Sequence, residues 1–255
     1  MLRWCSYCQH FLGEIPDYHT LSVTHGVCAD CETEAFEFTE SDFKLADSLR
    51  NIQHQLHEAG RRNDLRAAER IIENAATVNI RPVDILIGII APMLYRVGEE
   101  WKRGMLSVAE EHRFTSYCND IFDSVAAQVR DKRYDCADVS RDPEVLLMNA
   151  PGNKHTLAIR ILTVWLWNKG LRARMLEPSP TLDELSALVV SARPKLILVS
   201  MALAEQCVGV TTIAERIAKL SVPCRPRVIV GGYAVKLGLV SAIYGAELMG
   251  DISLL

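Results

Sequence analysis

With 255 residues, 49% of them hydrophobic and 24% charged, the chain can build one sizeable core or two smaller ones, which excludes disorder over most of its length. Its 28 Lys and Arg stand against 32 Asp and Glu, a formal net charge of -4, so no general excess of positive charge would gather nucleic acid. The opening MLRWCSYCQHF carries no long apolar run, and the stretch from Ile85 to Met93 is broken by Gly88 and Pro92 and too short for a bilayer, so a soluble, cytoplasmic protein is expected.

Four of the eight cysteines, Cys5, Cys8, Cys28 and Cys31, fall in the first 31 residues, while Cys118, Cys136, Cys207 and Cys224 are scattered singly. CSYC and CADC form two C-x2-C pairs separated by nineteen residues. Thiolates at i and i+3 in a tight turn can point at one ion, and two such turns supply the tetrahedral sulfur set that zinc accepts. Iron is the alternative metal, and His10 and His25 are alternative ligands should one cysteine be spare. Residues 1–36 hold too few large apolar groups for a core of their own, so a zinc-ribbon-like module folded by its metal is expected there, with no open coordination position.

From residue 40 to 130 the pattern is helical. Residues 42–59 repeat apolar groups at Phe43, Leu45, Leu49, Ile52 and Leu56, and residues 64–75 at Leu65, Ala68, Ile71 and Ile72, near the 3.6 period. A third helix over 82–100 opens on Pro82, is followed after Trp101 by Gly104, and should bend at Pro92. Ser107, with Glu110 in capping-box register, starts a fourth that runs to about residue 130. Four helices with short links predict a bundle. A polar linker, 131–143, then marks a domain boundary.

Beyond it the period switches. Strands are predicted at 145–148, 171–176, 195–200, 227–230 and 246–249, and helices at 155–167, 182–191, 209–220 and 233–242. Nearly all-apolar strands alternating with helices define the expected fold class: an α/β, doubly wound, flavodoxin-like parallel sheet over 143–255, preceded by the bundle and the small cysteine module. Such sheets bind ligands beyond the carboxyl ends of their strands. There the sequence reads N-A-P-G-N-K-H-T-L-A, Asn149 to Ala158. His155 stands where a ligand would sit, although a histidine capping the next helix would look identical. Gly152 allows a tight turn, and Asn153 is close enough to accept a hydrogen bond from one ring nitrogen while the other faces a metal. Pro151-Gly152 reads equally as an ordinary turn, and no GxGxxG follows the strand, which argues against a dinucleotide.

Residues from about 60 to 255 resemble the cobalamin-binding module of corrinoid methyltransfer proteins and cobalamin-dependent photoreceptors. That family's D-x-H-x-x-G motif is matched by Asn153-Lys-His155-Thr-Leu-Ala158, its serine loop by Ser200 and Ala202 in SMAL, and its paired glycine by Gly231 and Gly232. The resemblance implies that His155 replaces the cofactor's own base as lower cobalt ligand, with the nucleotide tail beside Ser200 and the Gly231-Gly232 turn. Asn153 stands in place of aspartate and lacks the charge that raises ligand basicity; Ala158 stands in place of glycine and adds a methyl beside the tail.

Trp101, Glu111 and His112 form W-x9-E-H. Taken singly, the tryptophan reads as a helix-junction residue and the pair as solvated. Together they resemble the photoreceptor branch and its light-sensing antirepressor relatives, which implies an upper face covering adenosylcobalamin, ahead of methyl- or hydroxocobalamin. Lys102 occupies the position where some relatives have a cobalt-binding histidine. The resulting expectation is a light-responsive, cobalamin-binding regulator without catalytic residues of its own, acting on a transcriptional regulator or other signalling protein, with self-association open. Arg3 and Lys44 make no basic patch against Glu32, Glu34, Glu37, Glu40 and Asp42, so direct nucleic-acid contact is not expected. The rival readings are a corrinoid carrier for partner methyltransferases and a zinc-stapled interaction protein whose cobalamin module is empty.

Overall fold

Alternating burial along the first strand places Leu2 and Trp4 inside, and this strand is the middle of a small sheet. The computed structural model describes residues 1–16, 18, 22–33, 40–133, 142–221 and 225–255. They divide into two compact units, Met1–Lys132 and Arg133–Leu255. Most of the expected linker, 134–141, and the end of the cysteine module, 34–36, lie outside the described residues.

In the first unit β1 (Leu2–Cys5) pairs antiparallel with β2 (Phe11–Glu14) and parallel with β3 (Val23–Gly26), and α1 (Ala29–Glu32) follows. The helices are α2 (Glu40–Arg61), α3 (Leu65–Thr77), α4 (Pro82–Ile85), α5 (Ala91–Lys102) and α6 (Val108–Arg133). Of the periodic residues, Leu49, Ile52 and Leu56 of α2 and Ala68, Ile71 and Ile72 of α3 are buried, Leu65 is half-buried, and the side chains of Phe43 and Leu45 lie outside the described residues. Each large buried one contributes roughly 1.5–3 kcal/mol by leaving water. Asp64 accepts the Ala67 N–H at 2.9 Å and so caps α3. The Ser107-Glu110 capping box forms, with the Ser107 N–H donating to the Glu110 carboxylate at 2.8 Å and the Glu110 N–H to the Ser107 hydroxyl at 3.3 Å. The last helix outruns its expected end and takes in residues 131–133 of the predicted linker.

The predicted third helix forms, but it holds a π turn. This turn, Leu86–Ile90, separates α4 from α5. Pro92 has no N–H with which to serve the Gly88 carbonyl in an α-helix. The ladder widens there, and the Ala91 N–H reaches back to the Leu86 carbonyl. The cysteine module is not free-standing either. It shares one compact unit with the helices, and its sheet meets the π turn.

In the second unit five strands, β4 (Val145–Asn149), β5 (Ala173–Met175), β6 (Leu196–Ser200), β7 (Arg227–Gly231) and β8 (Glu247–Leu248), pair in parallel in the order β5-β4-β6-β7-β8. This is the expected α/β fold with a flavodoxin-like sheet. Alternate residues of the central strands, among them Leu146, Met148, Ile197, Val199, Val228 and Val230, form a core with α8 (Leu182–Ala192) and α9 (Cys207–Ala218). The helix α7 (Leu157–Asn168) packs on β4 and β5. The last predicted helix is cut to α10 (Tyr233–Lys236), because Gly238 takes a positive φ and the Leu239 N–H closes onto the Ala234 carbonyl.

Within the first unit Tyr117 is fully buried and donates its hydroxyl to the Leu56 carbonyl at 2.9 Å, tying α6 to α2. Tyr117→Phe should lower stability by about 1 kcal/mol, the ordinary worth of one intramolecular hydrogen bond. Urea unfolding followed by far-ultraviolet circular dichroism is the check.

Candidate functional site and metal centre

The loops leaving β4, β6 and β7 meet at the carboxyl edge of the sheet, where the strand order reverses beside β4. Asn153 joins two of them. Its Nδ2 donates to the Ser200 carbonyl at 3.0 Å and to the Asn149 side-chain oxygen at 3.3 Å, while its Oδ1 accepts the His155 backbone N–H at 3.0 Å. The Ala150 N–H also bonds the Ser200 carbonyl, at 2.9 Å. Asn153 therefore fixes the backbone around His155 and does not orient its ring, which corrects the expected ring contact. These donors and acceptors explain the amide: a carboxylate in its place would face the Ser200 carbonyl with no proton to share.

His155 itself is exposed, and among the described residues no group hydrogen-bonds its imidazole. Gly152 makes the turn ahead of it at φ +81°, and Ala158 is half-buried on the first turn of α7. On the neighbouring loop the Ala202 N–H donates to the Gln206 side chain at 2.9 Å. Gly232 has φ +101°, and a Cβ there would stand 2.5 Å from the Met201 carbonyl oxygen; at Gly231 it would be 3.1 Å from that of Met249. Only glycine allows the loops after β6 and β7 to lie this close. Sequence reasoning missed three supports of this edge. Asn149, buried at the end of β4, donates to the His155 carbonyl at 3.4 Å. Ser179 donates to the Asn149 carbonyl at 3.2 Å, and Gln206 caps the β6 loop. A polar residue closing an all-apolar strand was the available signal for Asn149.

In the helical unit Trp101 lies in the last turn of α5 and is 46% exposed. Glu111 accepts the Thr115 hydroxyl at 2.8 Å and lies 3.6 Å from Nε2 of His112, whose side chain is 74% exposed. Nearby, Glu100 binds Arg61 at 3.1 Å and Arg96 at 2.9 Å, pinning the end of α2 to α5. A cleft of about 80 Å³ bordered by Arg61, Glu100, Glu110, Arg113 and Phe114 opens there. A larger groove of about 430 Å³ runs between α2 and α3, lined by His54, Glu58, Arg62, Arg70 and Asn74 among others.

The four cysteines converge. The Sγ atoms of Cys5, Cys8, Cys28 and Cys31 all lie within 4.8 Å of one another, with Cys8 and Cys28 3.6 Å apart. Zinc-sulfur bonds of about 2.3 Å require tetrahedral edges of about 3.8 Å, so the set has the size of a zinc cage. Among the described residues neither His10 nor His25 joins it. Burial raises the Cys5 thiol, but the backbone N–H groups of Cys8, Cys28 and Tyr7 outweigh it and bring the thiol down to about 7. Burial and the neighbouring sulfurs raise Cys8, and raise Cys31 to about 11. One negative charge is welcome here and further ones need a cation.

Residues 52–125, which span most of α2 through α6, match the family model described as a B12 binding domain. Among solved structures, the monomethylamine corrinoid protein of Methanosarcina barkeri superimposes with a TM-score of 0.63 at 13% identity, over 80% of this chain and 94% of that one. A chain of the methanol:cobalamin methyltransferase complex from the same organism matches at 12% identity over 82% of this chain and 84% of its own, with a TM-score of 0.37. A cobalamin-binding protein from Desulfitobacterium hafniense DCB-2 matches at 12% identity over 79% and 93%, with a TM-score of 0.41. No curated protein matches the chain. Among the described residues no helix is long and apolar enough to cross a membrane.

The geometry at Asn153 makes a sharp prediction. Asn153→Asp removes the donor to Ser200 and should destabilise the α/β unit by about 1–3 kcal/mol at neutral pH, the cost of setting a charged acceptor against a carbonyl. Because the carboxyl group's folded-state pKa would then be raised, the deficit relative to wild type should shrink on acidification, when the protonated acid can donate. Denaturant unfolding at two pH values checks both the size and the sign.

Proposed function

We propose that the chain is a corrinoid-binding protein that carries its cofactor for partner methyltransferases. The observation that carries this reading is the exposed, unengaged imidazole of His155 at the carboxyl edge of a parallel sheet, in a chain whose helices match the B12 binding domain model. The residues fit the group: His155 offers a nitrogen donor on a loop held by Asn153, and the glycine-lined approach at Gly231 and Gly232 leaves backbone, not side chains, at the edge. His155 would hold the cobalt. Gly152, Asn153, Ala158, Ser200, Ala202, Gly231 and Gly232 would border the rest of the cofactor, and the resemblance of the Trp101, Glu111 and His112 motif would add these residues of the helical unit. When bound, a corrinoid supplies a cobalt centre that accepts and gives up a methyl group. Protein residues contribute binding, orientation and exclusion of water, with no catalytic group of their own. The fold shared with a corrinoid protein along nearly all of that protein's length supports the carrier over the sensor. The light-sensing, adenosylcobalamin-dependent reading, with a transcriptional regulator as partner, rests on the Trp101, Glu111 and His112 motif. In the cysteine module we assign zinc to the four thiolates, because it has no redox chemistry to place and accepts the closed tetrahedral set.

Titration with hydroxocobalamin, followed by absorption, should give saturable binding that His155→Ala weakens by roughly tenfold or more, as loss of a metal-ligand contact does. Electron paramagnetic resonance of the cobalt(II) form with labelled histidine should show nitrogen splitting in wild type. Binding unaffected by His155→Ala, with no such splitting, rejects the ligand assignment. Green light that changes the elution volume of adenosylcobalamin-loaded protein would favour the sensor; methyl transfer to a thiol with unchanged elution would favour the carrier.

A further inference from the structure

Trp4 and Phe11 connect the metal site to Gly88, inside the stretch that matches the B12 binding domain model. Cys5 ends β1, and the residue before it, Trp4, is fully buried. The Trp4 ring stands edge-on to Phe11, with centroids 5.3 Å apart. Both rings press on Gly88, the middle residue of the π turn: a Cβ there would lie 2.5 Å from the Trp4 ring and 2.8 Å from that of Phe11. At Gly88, therefore, sheet and helix meet with no side chain of the helix between them. A second tie lies one turn earlier. Asp84 is buried, takes two bonds from Arg81 at 2.6 and 2.9 Å, and accepts the Phe11 backbone N–H.

The sheet itself is weak. Its strands are four residues long, and β1 leans on β3 through the Cys5-Gly26 pairing, immediately before Cys28. Three short strands without a core of their own do not hold alone. An ion bound to Cys5, Cys8, Cys28 and Cys31 would clamp the end of β1, the turn after it and the start of α1 together, and so would keep Trp4 and Phe11 seated on Gly88.

The geometry points to a zinc-dependent lever: occupancy of the four-cysteine site fixes the α4–π turn–α5 helix, whose last turn holds Trp101, and thereby sets how well the helical unit takes up a corrinoid. The last clause rests on the function proposed above; the mechanical link does not. Zinc binding and helix order are coupled through a packed contact that has one good arrangement, so losing the clamp loosens the helix.

Full-length protein is prepared with zinc and, in parallel, stripped with a chelator, and amide exchange of residues 82–102 is followed by mass spectrometry. About one zinc per chain is expected from one tetrahedral set of four thiolates. Exchange in 82–102 should quicken roughly tenfold or more on stripping and return when zinc alone is added back. Gly88→Ala, which leaves every cysteine in place, should retain zinc yet show the quickened exchange, separating the lever from simple loss of the module. No bound metal, iron in place of zinc, or exchange in 82–102 indifferent both to stripping and to Gly88→Ala overturns the proposal. Zinc-loaded protein that shows the exchange response but takes up no hydroxocobalamin upholds the lever and rejects the corrinoid reading. Protein that takes up hydroxocobalamin equally with and without zinc overturns the lever's control of binding.

Discussion

Every crossover in a parallel sheet must leave from the same edge, and at that edge three backbones have to pass one another within van der Waals contact. In this protein the constraint falls on one carbonyl. The oxygen of Ser200 accepts from the Ala150 N–H and the Asn153 amide, and the adjoining Met201 accepts the Ala234 N–H while donating its own to the Gly231 carbonyl. Two groups make the crowding tolerable: an amide at Asn153 that both donates and accepts, and a Gly232 with no Cβ to strike Met201. The imidazole of His155 is exposed and takes no part in that network, whose bonds to this residue fall on its backbone N–H and carbonyl.

The helical unit obeys a different constraint, the lack of a proton donor at Pro92. An α-helix through that residue would strand the Gly88 carbonyl, and the chain answers by widening one turn. The widened turn includes the glycine on which Trp4 and Phe11 rest. A cysteine module too small to form a core borrows one here: its largest side chain is buried against a helix that supplies no side chain at the contact. This explains how residues that cannot fold around themselves still contribute a fully buried tryptophan, and why module and helices form one compact unit.

Much of this was legible in the residues, for physical reasons. Helix periodicity identifies buried faces, so Leu49, Ile52, Leu56 and Ile72 read correctly, and the Ser107-Glu110 box is a local signature that depends on nothing distant. The spacing of the four cysteines encodes a turn geometry, and their sulfurs converge as that spacing requires. The misreadings share one cause, tertiary partners that no local pattern encodes. Pro92 signals disruption but not whether the helix bends or widens. Asn153 lies two residues from His155, which suggests a ring contact; the partner that decides its orientation is the Ser200 carbonyl, 47 residues away. Asn149 and Gln206 act on loop backbone, a role that residue type alone does not reveal.

The asparagine at position 153, where the motif of the family that the sequence resembles has aspartate, takes on a different meaning once its partners are known. An aspartate beside a ligand histidine is useful when its carboxylate receives the ring N–H and makes the imidazole a better donor. At position 153 the group is committed elsewhere, donating to one loop and accepting from another, and a carboxylate could perform only half of that task. The edge is therefore stabilised by the residue that would tune the ligand least. On the reading proposed above, a histidine held by its backbone with no carboxylate at its ring would make a cobalt bond that is easier to release than one backed by a carboxylate.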